Sequence, residues 1–502
     1  MHRRVLTALC ALLVLLPGAA RAEGWLDMIS ISGLLEADLR FDVEDYRGPV
    51  EGEGYRFSIN RNDAILHAEI RPHESLVAVF DGRLRFYGFN TASDLPGLSR
   101  DRNPVDPFSV QVDQAYVATR GLPWSWLDLK AGRMVQTWGS ADVFNQVDLL
   151  NPHDFYDPMD YVRKVPNQMF EVDVYPTDWL TLTAVWIPVF KPALLPPSAP
   201  LGFAVETDTN GCLSSFPAPP LSVEDNQALA DLFASVDPCS LNFATPQVNL
   251  YMPKYTFADS QVGARAKFSF ETIDFALTYY YGRFPYPIAY NAAAFANPSV
   301  TQPGKVNVDY VAEVMYPRMQ VAGLDFSYTA PWLFDVGIVG ELAVIFPEQV
   351  TFGLRAYQGQ AKIYEASSVN VPSTPFIKAT FGMDYTFTKW LYVNAMYLRG
   401  FFDEFNDAYG VHNYVVATAE LKFRSDSLKL RLAGILNVDD LSNVANPQLT
   451  WVITPGLEAL VGAFIFGGST MPSNTYDYAA REKFGQKAAG RSFAYLKVRF
   501  TF

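Results

Sequence analysis

Apolar and polar side chains alternate strictly, two by two, over long stretches of this chain up to its last residue, and nothing else constrains its fold as much. In 29–43 the odd positions are Ile29, Ile31, Gly33, Leu35, Ala37, Leu39, Phe41 and Val43, while the even ones include Ser30, Ser32, Glu36, Asp38, Arg40 and Asp42. Successive side chains of a strand point to opposite faces, so one face here is wholly apolar and the other charged. A soluble strand averages about 5–6 residues, whereas a tilted strand crossing a bilayer needs about 9–11 in the hydrocarbon. The alternation in 29–43 is long enough for the second case.

The pattern recurs in 76–88, 262–270, 377–387, 428–436 and 494–502. Arg83 and Arg85, Arg265 and Lys267, Lys378, Lys429 and Arg431, and Lys497 and Arg499 fall on the polar faces, against acidic residues such as Glu36, Asp38, Asp325 and Glu341. Short connections are expected near 72–74, 121–126, 176–179, 271–272, 330–333, 388–390, 426–427 and 454–457. Long ones are expected near 44–54, 91–110, 139–165, 191–259, 284–307, 347–375, 401–411, 438–446 and 468–491. Eight turns and nine loops predict an all-β, antiparallel transmembrane barrel of about 18 strands (range 16–18), with short periplasmic turns and long extracellular loops. Five tryptophans, at positions 124, 126, 179, 332 and 390, fall in or beside the expected turns, where an aromatic girdle meets the inner interface. The register is least regular at 132–138: Arg133 faces lipid unless Gly132 marks a bulge, and a bulge is placed there.

Composition removes the competing classes. Charged residues make up 18% and aromatic residues 15%, which excludes a disordered chain, and a net charge of −14 opposes phosphate neutralisation of nucleic acid. Beyond the first 22 residues no apolar run approaches the ~20 that a spanning helix needs. Residues 1–22 read as a secretory signal: Arg3 and Arg4, an apolar stretch over 5–16, a Pro17-Gly18 break, and Ala20 and Ala22 before a cleavage at Glu23. Its removal takes away three arginines and deepens the charge from −14 to −17. Residues 23–502 then form a single barrel located in the bacterial outer membrane. Cys212 and Cys239, the two cysteines that remain, are expected to form a disulfide in an oxidising compartment. It braces loop 191–259, in which Ser222 and Asp225 suit a helix start and Leu229, Leu232, Phe233 and Val236 a helical stripe.

The terminal Phe502 completes an outward apolar face and is similar to the ending that the barrel-assembly machinery reads during biogenesis. A more particular resemblance begins at Gly132-Arg133, continues through Thr137-Trp138-Gly139-Ser140-Ala141-Asp142 and Asp148-Leu149-Leu150-Asn151-Pro152-His153-Asp154, and returns at Thr183-Ala184-Val185-Trp186-Ile187-Pro188, Tyr279-Tyr280-Tyr281-Gly282-Arg283 and Gly323-Leu324-Asp325-Phe326-Ser327. These runs resemble the domain-of-unknown-function-1302 family of outer-membrane proteins. The resemblance implies a large barrel related to porins and polysaccharide-export barrels, associated with the use of hydrophobic or aromatic compounds.

Function is therefore expected to be that of a non-enzymatic, porin-like channel for small solutes, with hydrophobic or aromatic compounds as the cargo that the resemblance implies. Segment 139–165 combines carboxylates with Phe144, Leu149, Leu150, Phe155 and Tyr156, and apolar side chains favour a position out of water, so it is expected to fold inward. The expected lumen and constriction residues are Arg83, Arg85, Arg133, Trp138, Asp148, Asp154, Asp157, Arg265, Lys267 and Arg431. The expected partners are outer-membrane lipid and lipopolysaccharide, the assembly machinery and the small-molecule cargo, with no nucleic acid, cofactor or metal; the sequence sets no oligomeric state. Two alternatives stand beside the channel: an adhesin or structural barrel with partner-binding loops, and a lipid hydrolase built on His67 with Ser58 and Asn60 nearby.

Overall fold

The computed structural model describes residues 28–43, 56–93, 102–157, 159–160, 162–195, 206–207, 213–215, 221, 223–234, 237–243, 247–407, 410–467 and 492–502. The proposed signal 1–22 and Cys212, Ser222, Val236 and loop 468–491 lie outside the described residues. Eighteen strands form one closed antiparallel ring. In chain order they are β1 (Ile29–Asp42), β2 (Phe57–His73), β3 (Leu76–Tyr87), β4 (Phe108–Thr119), β5 (Leu127–Met134), β6 (Asn167–Thr177), β7 (Leu180–Ile187), β8 (Gln261–Ser269) and β9 (Ile273–Arg283). The second half comprises β10 (Arg318–Ala330), β11 (Val336–Pro347), β12 (Phe376–Thr388), β13 (Leu391–Arg399), β14 (Asn413–Phe423), β15 (Leu428–Asn437), β16 (Asn443–Thr454), β17 (Leu457–Gly467) and β18 (Phe493–Thr501). Each pairs with its neighbours, and β18 closes on β1 from Leu34↔Thr501 to Asp42↔Phe493. Phe502 extends the seam by exchanging main-chain hydrogen bonds with Gly33 at 2.9 and 3.0 Å.

Side-chain alternation decides which face meets what. Ile31, Leu35 and Leu39 of β1, Phe80 and Phe86 of β3, Ile377, Phe381 and Phe387 of β12, and Leu496, Val498 and Phe500 of β18 are exposed on the outside, while Asp38, Arg40, Asp63, Arg85, Lys378 and Lys497 are buried inside. A largely apolar exterior around a ring in which each strand pairs with both neighbours is the solution that hydrocarbon imposes on β-structure. Trp124, Trp126, Trp179, Trp332 and Trp390 are exposed at the short-turn end, and Trp124 and Trp126 stack at 5.1 Å.

On the long-loop side there is more structure than alternation predicts. The stretches 284–307 and 347–375, expected as loops, contain the strands Ile288–Pro298, Val350–Gln358 and Ala361–Val371. The strand expected after 307 breaks at Tyr316-Pro317, separating Val306–Met315 from β10. Proline has no N–H to give a ladder, which explains the break. These strands form a second sheet with the short strands Leu241–Phe243 and Gln247–Tyr251, both parallel to Val306–Met315. The helix Val223–Ala234 lies over it, with Leu229 buried among Ala292, Tyr310, Phe352 and Leu354. Tyr364 donates its hydroxyl to the Asp225 carbonyl at 2.9 Å. Cys239 is disulfide-bonded, in the turn Pro238–Ser240.

Candidate functional site

After Met134 the chain leaves the wall. The Val135 N–H donates to Gln114 Oε1 at 3.2 Å and the Gln136 N–H to Asn151 Oδ1 at 2.8 Å, so side chains take over from the ladder. Trp138 is buried inside the ring, with the Arg265 guanidinium 6.0 Å from its ring centre. Space for this entry comes from glycines on the wall: a Cβ at Gly263 would lie 2.8 Å from the Trp138 ring, and one at Gly323 2.6 Å from Val147 Cγ1. Gly263→Val is therefore expected to cost about 1–3 kcal/mol through overpacking, read as a lower temperature for loss of the compact band on cold electrophoresis.

Segment 139–165 is tied to walls on opposite sides of the ring. On β11 the buried Glu341 carboxylate accepts four backbone N–H groups: Oε1 takes Ser140 (2.7 Å) and Ala141 (2.8 Å), and Oε2 takes Gln146 (2.5 Å) and Val147 (3.3 Å). On β10, Asp325 accepts the Ser140 hydroxyl at 2.6 Å and Arg265 at 2.8 Å. On β12, Thr380 donates to the Phe144 carbonyl at 2.7 Å and accepts Gln146 Nε2 at 3.3 Å. At the other end Asp157 bridges Arg40 of β1 at 2.6 and 2.7 Å and Arg61 of β2 at 2.5 Å. Arg163 meets Gln111 and Asp113 of β4 at 2.8 and 3.1 Å. Strands β1 and β10 are nine apart in an 18-membered ring and therefore face each other, so these ties place the segment across the bore.

Burial opposes ionisation of Asp157, but the hydrogen bonds and charge of Arg40, together with Arg61, prevail and hold it well below the usual carboxylate range. Asp148 behaves oppositely: it is fully enclosed, and burial raises it above its ordinary value although Lys164 pairs with it. Asp160 is raised by burial and by the neighbouring Asp157. Asp154 accepts the Tyr156 N–H at 3.1 Å and lies 3.4 Å from Arg163. His153 stacks on Phe402 at 3.8 Å, where the segment meets the 401–411 loop.

The remaining wall residues divide. Arg85 makes a two-pronged pair with Asp63 at 2.6 and 2.7 Å, and Arg83 reaches both Asp63 (3.1 Å) and Asp113 (3.3 Å). Lys267 pairs with Asp274 at 3.2 Å beside the β8–β9 turn, at the short-turn end and away from the crossing segment. Arg431 points inward on β15 opposite Glu420 of β14. Arg133 requires a correction. Pairing of β5 runs unbroken through Gly132 on both sides, and the register slips instead at Asp113, where Asp81↔Gln114 is followed by Gly82↔Val112. Gly132 answers a close approach: its φ is +141°, and a Cβ there would lie 2.4 Å from the Ala115 carbonyl oxygen. Arg133 consequently keeps the outward register of Leu129 and Ala131 and does not line the lumen. His67 bonds Asp81, and Ser58 lies nine positions along the same strand, roughly 30 Å away at strand rise, so the two form no catalytic pair.

Sequence reasoning placed Glu341 and Arg40 on the inner face but did not single them out; Arg61 and Asp63 it missed. The available signal was the inward parity of β2, obscured because 57–73 mixes Asn, Arg and Asp with few large apolar residues.

The bore is filled unevenly. Trp138, Val147 and Leu150 join Tyr280, Val321 and Ile345 in one apolar core against the β5–β12 wall. Across from it, between the segment and β3–β4, lies a cavity of about 220 Å³ lined by Arg85, Tyr87, Gln111, Tyr156, Asp160 and Arg163 among others.

No family model matches the chain, and no curated protein does. Among solved structures, the chain is similar to OccAB3 of Acinetobacter baumannii, at 11% identity over 94% of this chain and 99% of that one, with a TM-score of 0.47. It is similar to OccK9 (OpdG) of Pseudomonas aeruginosa, at 10% identity over 96% and 100%, with a TM-score of 0.48. OmpF of Salmonella typhi, solved in complex with daunomycin, is 8% identical over 94% and 97%, with a TM-score of 0.37. The chain is a closed, 18-strand antiparallel transmembrane β-barrel.

Proposed function

We propose that the chain is an outer-membrane channel for small solutes, and that segment 139–165 sets its aperture. The observation that carries this reading is the set of ties that hold that segment between β1–β2 and β10–β12, with an apolar core on one side of it and a polar cavity of about 220 Å³ on the other. An 18-strand ring is too wide for wall side chains alone to fill. Passage alongside paired arginines and carboxylates gives a wet, weakly ion-selective path. The motif resemblance to the domain-of-unknown-function-1302 family favours hydrophobic or aromatic solutes, and Tyr87 and Tyr156 offer ring faces for them. Residues 1–22 act as the export signal, Phe502 engages the assembly machinery, and lipopolysaccharide surrounds the outer leaflet.

Purified protein in planar bilayers is expected to give discrete conductance steps, and a folded but silent barrel overturns the reading. Cys239 is disulfide-bonded, and Cys239→Ser is expected to leave the step size unchanged while lowering the protease resistance of loop 191–259.

A further inference from the structure

The ring has one short seam. β4 pairs with β3 along its whole length, from Leu76↔Thr119 to Phe86↔Phe108, but with β5 only from Ala115↔Arg133 to Thr119↔Leu129, the shortest pairing in the barrel. Beyond that level β5 has turned into the bore, and among the described residues the β5-side backbone of Phe108–Val112 pairs with no strand. Spanning barrels close such edges because hydrocarbon offers backbone groups no partner. Here side chains do part of the closing: Arg133 Nε donates to the Val112 carbonyl at 2.7 Å, beside the slip at Asp113. The outer flank of this edge is apolar, with Val110 69% exposed beside Phe108 and Val112.

Two cations stand at the gap. Arg133 lies in the lipid-facing register, and Lys191 Nζ donates to the Pro166 carbonyl at 2.8 Å, just before β6 begins. Neither has a carboxylate in ion-pair range among the described residues. Burial and the charge of Arg133 push the Lys191 ammonium down to about 8, as expected for neighbouring like charges that lack a counter-ion. Directly behind the edge is the cavity of about 220 Å³, which Gln111 of β4 helps to line together with Leu194, three residues after Lys191.

We propose that the β4–β5 seam is a lateral portal through which an amphiphile with one anionic head and an apolar body passes between this cavity and the outer leaflet. Arg133 and Lys191 hold the head at the lip, and Phe108, Val110 and Leu194 flank the body. The unpaired edge supplies the route, the uncompensated cations select the charge, and the cavity receives the solute. The portal rests on the channel reading and adds a second entrance to it.

The test uses the mature chain in liposomes and planar bilayers, with anilinonaphthalene sulfonate as an anion that has an apolar body and methanesulfonate as one that lacks it. The paired substitution Arg133→Glu and Lys191→Glu is expected to slow uptake of the aromatic sulfonate roughly tenfold or more while methanesulfonate current stays within about twofold. Val110→Trp, which obstructs the lip without touching the charges, is expected to act in the same direction and serves if the charge reversal prevents folding. Unchanged aromatic sulfonate uptake in a folded variant overturns the portal, and so does an equal loss for both anions, which places the cations on the aqueous path. Failure of the channel reading is distinct: the unaltered barrel then carries no methanesulfonate current.

Discussion

Glu341→Ala is expected to raise single-channel conductance roughly twofold or more, because it frees the crossing segment from the β11 wall. The carboxylate is the acceptor for Ser140, Ala141, Gln146 and Val147, and among the described residues no other single side chain ties down as much of the segment's backbone. Each buried N–H left without an acceptor costs about 1–3 kcal/mol, so four together exceed what the local apolar contacts return, and the segment shifts to rehydrate them. Glu341→Gln keeps one carbonyl oxygen and is expected to produce an intermediate step size with noisier open current. Planar-bilayer recording decides the matter; an alanine variant with unaltered steps and ordinary heat-modifiability means that the segment is held by Thr380 and Asp325 instead.

At the opposite wall, Asp157→Ala strands Arg40 and Arg61 inside the ring with Asp38 as their remaining shared carboxylate. Arg40 is only 2% exposed, and breaking such a buried pair by removing one partner costs about 3–5 kcal/mol. The variant is expected to lose its compact form at markedly lower temperature than Glu341→Gln and to show a wider, less selective passage along β1–β4. The same pair sets a pH response. Asp157 is held below its unfolded value of ~3.9, so its contribution is present above that value and lost as pH falls through the folded one. The Asp157 pair is therefore expected to add no pH dependence to conductance between about pH 5 and 8 and to alter it only in strong acid, below about pH 3. A step in conductance near neutral pH that vanishes in Asp157→Asn contradicts this assignment.

Both predictions concern contacts that local pattern does not reveal. Alternation is a local property, because each residue's face follows from its neighbours through the two-residue period of a strand. The strand number, the turn side and the outward set from Ile31 to Phe500 could for that reason be read from order alone. The bulge shows where such reading ends. A glycine beside an awkward arginine suggested a slip at Gly132, but the extra residue is Asp113 on the neighbouring strand, and the glycine is required by an approach of Ala115 that exists only once β4 and β5 lie together.

The second sheet was hidden for a related reason. Its strands include parallel pairs and an alanine run at Ala292-Ala293-Ala294, whose two faces differ little in polarity, so no period-two signal marks them. The partners of the crossing segment were more remote still: Asp157 meets Arg40 across 117 residues, and Glu341 meets Ser140 across 201. Sequence by itself determined a ring of tilted strands with an oily exterior and charged interior, since those follow from side-chain direction residue by residue. Only ring closure decided which carboxylate faces which arginine, because strands nine places apart become neighbours across the bore through the geometry of the whole cylinder.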